Sequence, residues 1–325
     1  MASFYPIKGK RDSMLTALAP AKINLTLEVL GRRPDGYHQI RSVIQTINLC
    51  DSLRFRLSHD IQFSCDNPGL VLEESLISRA ISLLQQATGC SKGATVEISK
   101  RIPLASGLGG DSSDAAAILR GLNRLWQLGL SLPELLELAP RLGSDVAFFL
   151  YGGTALVEGR GERVTPLPSL PHRWVVLLMP PVPRMLGKTQ RLYANLKPKH
   201  YTQGEVTDRL VALLTGRSLE GRSPFKTNTS PSCKELHIHI MERGIEGERL
   251  ISNVFNVFDW VALDSFAGLG EYREQFLKAG ATGVHLAGSG PALFTLIKDK
   301  ARAEELYRHL QQQGLESYLT ETLAA

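Results

Sequence analysis

PLASGLGGDSSDAAA, residues 103–117, is the stretch on which the reading of this chain turns. Ahead of it, Val96, Ile98 and Ile102 fall on one side of residues 95–102, the period-2 pattern of a strand. Behind it, Ala115, Ile118, Leu119, Leu122, Leu125 and Trp126 repeat at the i, i+3, i+4, i+7 spacing of an amphipathic helix. Between strand and helix stand Gly107, Gly109 and Gly110, then Ser112, Ser113 and Asp114, three residues suited to capping a helix. Glycines let the backbone bend until several N–H groups converge, and a helix start adds partial positive charge. The stretch therefore reads as a cradle for an anion, phosphate above all. A plain glycine-rich turn with an ordinary cap is the competing reading.

Two commoner phosphate loops are excluded by the residues. A Walker loop requires Gly-Lys-Ser/Thr at its end, and residues 103–117 hold no lysine. The dinucleotide pattern Gly-x-Gly-x-x-Gly would begin at Gly107 and fails at Ser112. A third type of loop remains, with two serines at the helix mouth in place of a lysine.

With 325 residues the chain is long enough for two domains, each with its own core. The 43% hydrophobic and 21% charged residues are those of a soluble globular protein. The net charge of +5 favours an acidic partner only mildly, and no basic run interleaved with aromatics forms a nucleic-acid face. Cys50, Cys65, Cys90 and Cys233 lack metal or CxxC spacing and read as reduced cytosolic thiols. Residues 14–19 are too short an apolar run for a signal peptide, and residues 174–183 too short and proline-rich to span a bilayer. A cytoplasmic protein is expected.

Residues 1–19 read as a loose extension. Ile23, Leu25, Leu27 and Val29 alternate as a strand that runs into the turn at residues 31–36. Tyr37 and His38 open a second strand through Ile47, and a third covers residues 52–57. A helix over about 75–88 precedes the glycine loop, and Pro133 with Ser131 starts another that ends near Leu142. Residues 143–145 break it, an apolar run covers 146–150, and strand pieces follow near 154–158 and 163–167. Residues 174–179 read as a buried strand opening a second domain, and 301–313 as a closing helix. Residues 216–247, rich in Ser, Gly, Arg and Lys, read as an insertion or flexible loop.

Several separated motifs occur together in one order: PAKINL at 20–25, PDGYH at 34–38, the loop at 103–113, LGSDV at 142–146, GGTA with GRGE at 152–162, and GSG at 288–290. In this the chain resembles the GHMP-superfamily kinases, most of all the branch acting on CDP-linked methylerythritol in the non-mevalonate isoprenoid pathway. The resemblance implies an α+β fold of two domains: residues 20–172 similar to ribosomal protein S5 domain 2 and binding ATP, and residues 173–325 similar to a ferredoxin-like sandwich. It further implies transfer of the ATP γ-phosphoryl group to the 2-hydroxyl of CDP-methylerythritol, with Mg2+. Sister kinases of mevalonate, homoserine or sugars lack the Asp-Gly-Tyr-His pairing. A non-catalytic nucleic-acid-binding use of the same fold is the alternative from another class. The expected partners are small molecules, with no nucleic acid and no membrane, in a monomer or weak homodimer.

The resemblance assigns the ATP phosphates to Pro103, Leu104, Ala105, Ser106, Gly107, Leu108, Gly109, Gly110, Asp111, Ser112 and Ser113. One of the two serines is expected to reach Mg2+, and the metal ligands are otherwise open. Asp111 stands where a glycine is common; a carboxylate facing phosphate would be repelled by several kT, on the order of kcal/mol at close range, so it should point to solvent or to the metal. Asp145 is implied as the acceptor of the hydroxyl proton and Lys22 as its partner, with Tyr37 stacking on the cytosine, His38 reading its edge, and Asn24 nearby. The family offers a second stacking aromatic early in the second domain, whereas Met185 and Leu186 occupy that neighbourhood here.

Overall fold

The computed structural model describes residues 14–69, 75–183, 185, 187–217 and 254–324. The first unit contains β1 (Leu15–Arg32), β2 (His38–Ser58), β3 (Ile61–Cys65), α1 (Leu76–Thr88), β4 (Gly93–Ser99) and α2 (Gly110–Trp126). It continues through α3 (Leu132–Leu138), α4 (Val146–Tyr151), β5 (Thr154–Gly159) and β6 (Arg163–Pro166). Its sheet runs β3-β4-β2-β1, with β5 on the other half of β2 and β6 on β5. Helices α1, α2 and α4 cover one face with a core that includes Phe55, Ile81, Leu84, Leu119, Trp126 and Phe148.

The strands are longer than the alternation suggests. Leu15 to Ala19, read as part of a loose extension, belong to β1 and pair with residues 51–55; residues 1–13 lie outside the described residues. Leu15, Ala17 and Ala19 bury against the helices, but the two alanines give only a weak apolar signal. The two strands expected at 38–47 and 52–57 are one, β2, carried through by a register shift opposite Pro20/Ala21. That shift lets Ala21, Ile23 and Leu25 turn towards the second unit while Ala17 and Ala19 stay with the helices. The apolar run at 146–150 is the helix α4.

The second unit opens with β7 (Trp174–Leu178), then α5 (Lys188–Asn195) and α6 (Glu205–Thr215). After the undescribed residues come β8 (Phe255–Asn256), α7 (Asp259–Ser265), α8 (Leu269–Lys278), β9 (His285–Leu286), β10 (Leu293–Ile297), α9 (Lys300–Gln312) and β11 (Ser317–Glu321). The antiparallel sheet runs β11-β7-β10-β9, the 4-1-3-2 order of a ferredoxin-like sandwich. Helix α9 begins at its Asp299 cap, whose side chain accepts from the Arg302 amide at 2.9 Å. Residues 218–247, most of the stretch read as an insertion, lie outside the described residues.

The two units share a core. Val175, Leu177 and Phe294 of the second sheet pack on Ile23, Leu25 and Val43, and β8 adds to β1 in parallel at Thr26 and Leu27. Alternation ordinarily marks a half-buried strand. In β1 the polar positions Lys22, Asn24, Thr26 and Glu28 are buried as well, because both faces are covered. Buried polar groups need partners, and these lead from the middle of β1 to the cleft between the units.

Candidate active site

The glycine loop joins β4 to α2 as its sequence implies, but α2 starts earlier. Gly109, at φ 78°, is the N-cap, and the Ser113 amide already donates to the Gly109 carbonyl at 3.0 Å. Ser112, Ser113 and Asp114, read as candidate caps, therefore lie inside the helix, the two serines in its first turn and Asp114 just past it. A helix start leaves its first amides without an intrahelical acceptor. Here these are Gly110, Asp111 and Ser112, and they stand at the wall of a cleft of about 1150 Å³ between the two units.

Asp111 and Ser112 line that cleft, Asp111 with an exposed side chain. Ser113 does not line it; its buried hydroxyl, which has no hydrogen-bond partner among the described residues, lies with Leu18 and Phe149. Leu108 is wholly buried and contributes its carbonyl, which accepts from the Lys22 amide at 2.9 Å. Close approach explains the glycines: a Cβ on Gly107 would lie 2.0 Å from the Ala287 carbonyl oxygen, and one on Gly109 would lie 2.9 Å from the Phe149 ring. The Gly288-Ser289-Gly290 turn thus packs directly on the loop, and the Ala292 amide donates to the Ser106 carbonyl at 3.1 Å.

Lys22 and Asp145, separated by most of the first unit's sequence, meet beside this loop with Nζ 3.5 Å from Oδ2. The lysine side chain is 6% exposed and the carboxylate 33%, so the pair is covered from behind and open to the cleft. Asp145 occupies the N-cap position of α4 without using its side chain as a cap, which leaves the carboxylate free to project. Lys22 Nζ also donates to Asn24 Oδ1 at 2.7 Å, and Asn24 Nδ2 donates to Ser42 Oγ at 2.8 Å. The chain of contacts ends on the Thr26 carbonyl, which accepts from Ser42.

A second cation enters from the other unit. Lys188, at the start of α5, donates to the carbonyls of Ala105 (2.6 Å) and Gly290. Burial, reinforced by the charge of Lys22 and opposed by Asp111, pulls its ammonium down to about 8. Beside it, the hydroxyls of Thr189 and Ser289 are 2.9 Å apart. Nothing in the local sequence around Lys188 marks it, since its place depends on how α5 docks.

The far end of the cleft is aromatic. His38 stacks on Tyr193 with centroids 4.8 Å apart and planes 17° apart, and Tyr201 meets His38 edge-on at 6.1 Å. Tyr37 is 55% exposed, with the Arg160 guanidinium 4.7 Å over its ring. Burial, helped by Arg32, holds His38 below the ordinary imidazole range and so favours its neutral form. Burial and the charge of Asp145 push the Tyr193 phenol up. Met185 lines no part of this cleft, whereas Tyr193 on α5 does, early in the second unit; Leu186 lies outside the described residues.

Under the loop lies a third charged group that motif reading passed over. Lys100 Nζ contacts Asp51 Oδ2 at 2.6 Å and Asp114 Oδ2 at 2.7 Å, all three side chains being at most 1% exposed. Asp51 Oδ1 accepts from the amides of Arg101 (2.6 Å) and Ile102 (2.8 Å), pinning the approach to the loop. Burial pushes Asp114 up to about 8 against the attraction of Lys100, while burial of Lys100 is overridden by the two carboxylates, which hold its ammonium high.

Two family profiles match the sequence: GHMP kinases N terminal domain over residues 75–153, and GHMP kinases C terminal over residues 246–315. A 4-diphosphocytidyl-2-C-methyl-D-erythritol kinase of Dehalococcoides mccartyi is 47% identical over 95% of this chain and 99% of its own length. One from Symbiobacterium thermophilum is 38% identical over 93% and 98%. A crystal structure of 4-(cytidine 5'-diphospho)-2C-methyl-D-erythritol kinase aligns with a TM-score of 0.73 and 29% identity, covering 95% of this chain and 100% of that one. Homoserine kinase from Cytophaga hutchinsonii, 19% identical with a TM-score of 0.62 over 98% of each chain, shares the fold. The chain belongs to the 4-diphosphocytidyl-2-C-methyl-D-erythritol kinase family of GHMP kinases.

Proposed function

We propose that the cleft transfers the γ-phosphoryl group of ATP to the 2-hydroxyl of 4-(cytidine 5'-diphospho)-2-C-methyl-D-erythritol, giving the 2-phosphate and ADP in the methylerythritol phosphate pathway. The observation that carries this reading is the Lys22–Asp145 pair at 3.5 Å, set between a lysine-free phosphate loop and an aromatic end suited to a nucleobase.

Phosphoryl transfer asks a protein mainly for positioning and charge neutralisation. The amides of Gly110, Asp111 and Ser112, with the loop ahead of them, hold the phosphates. Asp145 takes a hydrogen bond from the substrate hydroxyl and receives its proton as the oxygen bonds to the γ-phosphorus and the bond to the bridging oxygen of ADP breaks. Lys22, with Nζ 3.5 Å from its Oδ2, holds that carboxylate in place. Asn24 spends its amide oxygen on Lys22 and its NH2 on Ser42, so its part is to orient Lys22. Tyr37 and Tyr193 supply faces for the cytosine, and His38, held neutral, offers one ring nitrogen as donor and the other as acceptor for its edge.

Mg2+ travels with the nucleotide and takes most of its ligands from phosphate and water. The oxygens of Ser112 and Asp111 at the helix mouth fit that hard-donor chemistry, and Ser113, turned away, does not. The bound ion would offset phosphate charge. Among the described residues no helix is long and apolar enough to cross a membrane. With the scattered cysteines, we place the enzyme in the cytoplasm, as a monomer or weak homodimer acting on small molecules.

The test is ATP-dependent phosphorylation of the CDP-alcohol alongside mevalonate and homoserine. ADP release with the CDP-alcohol alone is expected. Turnover of mevalonate or homoserine without turnover of the CDP-alcohol would replace this reading with that of a sister kinase.

A further inference from the structure

We propose that Lys188 is an additional catalytic residue, reaching from the second unit to the terminal phosphate of ATP and offsetting the charge on the transferring group. The proposal rests on the kinase reading above and concerns the same cleft.

Three observations lead to it. Residues 103–117 contain no lysine, so the phosphate loop brings amides but no cationic side chain of its own. Lys188 supplies a cation at that place, its ammonium on the carbonyls of Ala105 in the loop and Gly290 in the facing turn. It lines the same cleft as Asp111, Ser112, Lys22 and Asp145.

The partners of Lys188 are what make an anion the missing element. Both are neutral carbonyls, and among the described residues no carboxylate pairs with it in an ion pair, in contrast to Lys22 and Lys100. A half-buried ammonium without a counter-ion, beside a second ammonium, is held in its charged form at a cost. The lowered proton affinity of Lys188 is consistent with that cost. An ammonium has three N–H donors. Two meet the carbonyls, and one is left for an oxygen in the cleft. Lysine suits phosphate as a compact point charge. Placed on α5, it also makes completion of the phosphate site depend on the unit that carries Tyr193.

A clamp between the two carbonyls is the rival role, and Lys188→Gln separates the two. Glutamine keeps two N–H donors for the carbonyls and loses the charge, whereas Lys188→Arg keeps the charge. Kinetics with the CDP-alcohol and binding of ADP and of a non-hydrolysable ATP analogue are measured for both variants. Lys188→Gln is expected to lower kcat by about 100-fold or more, the scale set by removing one preorganised charge-stabilising donor. It should weaken the ATP analogue about tenfold more than ADP, with Lys188→Arg within about tenfold of the parent in kcat. A parental kcat for Lys188→Gln, or equal loss of ATP-analogue and ADP affinity, would overturn the proposal. If the parent itself fails to phosphorylate the CDP-alcohol, the substrate reading fails, and the ATP-to-ADP binding ratio still decides the role of Lys188.

Discussion

Two lysine–carboxylate groups flank the same glycine loop and differ in almost every respect. The Lys100 group beneath it is closed, with contacts of 2.6 and 2.7 Å and all three side chains at most 1% exposed. The Lys22–Asp145 pair beside it stands at 3.5 Å with its carboxylate a third exposed. A cluster whose side chains are at most 1% exposed presents no oxygen to a substrate. A looser pair at a cleft wall keeps one carboxylate oxygen available. The same residue types are thus sealed beneath the loop in one place and open to the cleft in the other, where the proposed function puts the chemistry.

The first way to break that contrast is Asp145→Asn. Turnover should fall by about 10²- to 10⁴-fold, the usual share of a positioned proton acceptor. Nucleotide binding and the denaturation midpoint should stay near those of the parent. A variant with parental kcat would remove Asp145 from the chemistry, and one that unfolded easily would make it structural like Asp51. The converse test is Lys100→Met, which leaves two buried carboxylates facing each other. Breaking such a group costs about 3–5 kcal/mol, so chemical denaturation should show a loss of that size. Unchanged stability would mean that the closed group does not hold the loop. The smallest effect sharpens the open side. Tyr37→Ala should weaken the CDP-alcohol by about 1–3 kcal/mol, the worth of one stacked base, and leave the ATP KM unchanged. An equal effect on both substrates would argue that Tyr37 supports the cleft generally and does not stack on the base.

Much of this site was legible in the residues. The loop could be read because its signals are local: a strand period, bunched glycines and a helical period within about thirty residues. Asp145 and Lys22 could be named through the motifs around them, though only the bulged pairing of β1 with β2 and the short helix α4 bring them together. Ser112 and Ser113 were equivalent as letters. One helical step of about 100° puts the first in the cleft and the second against Leu18 and Phe149.

What the sequence determined by itself was the set of elements whose period is written in consecutive residues, and the position of the glycine loop between β4 and α2. It could not show that the polar row Lys22, Asn24, Thr26, Glu28 is buried, since burial of that face requires the second unit to dock on it. Nor could it place Tyr193 and Lys188, because α5 contributes to the site only through its packing across the cleft. Periodicity records the faces of an element, whereas what meets those faces is settled by contacts between residues far apart in the chain.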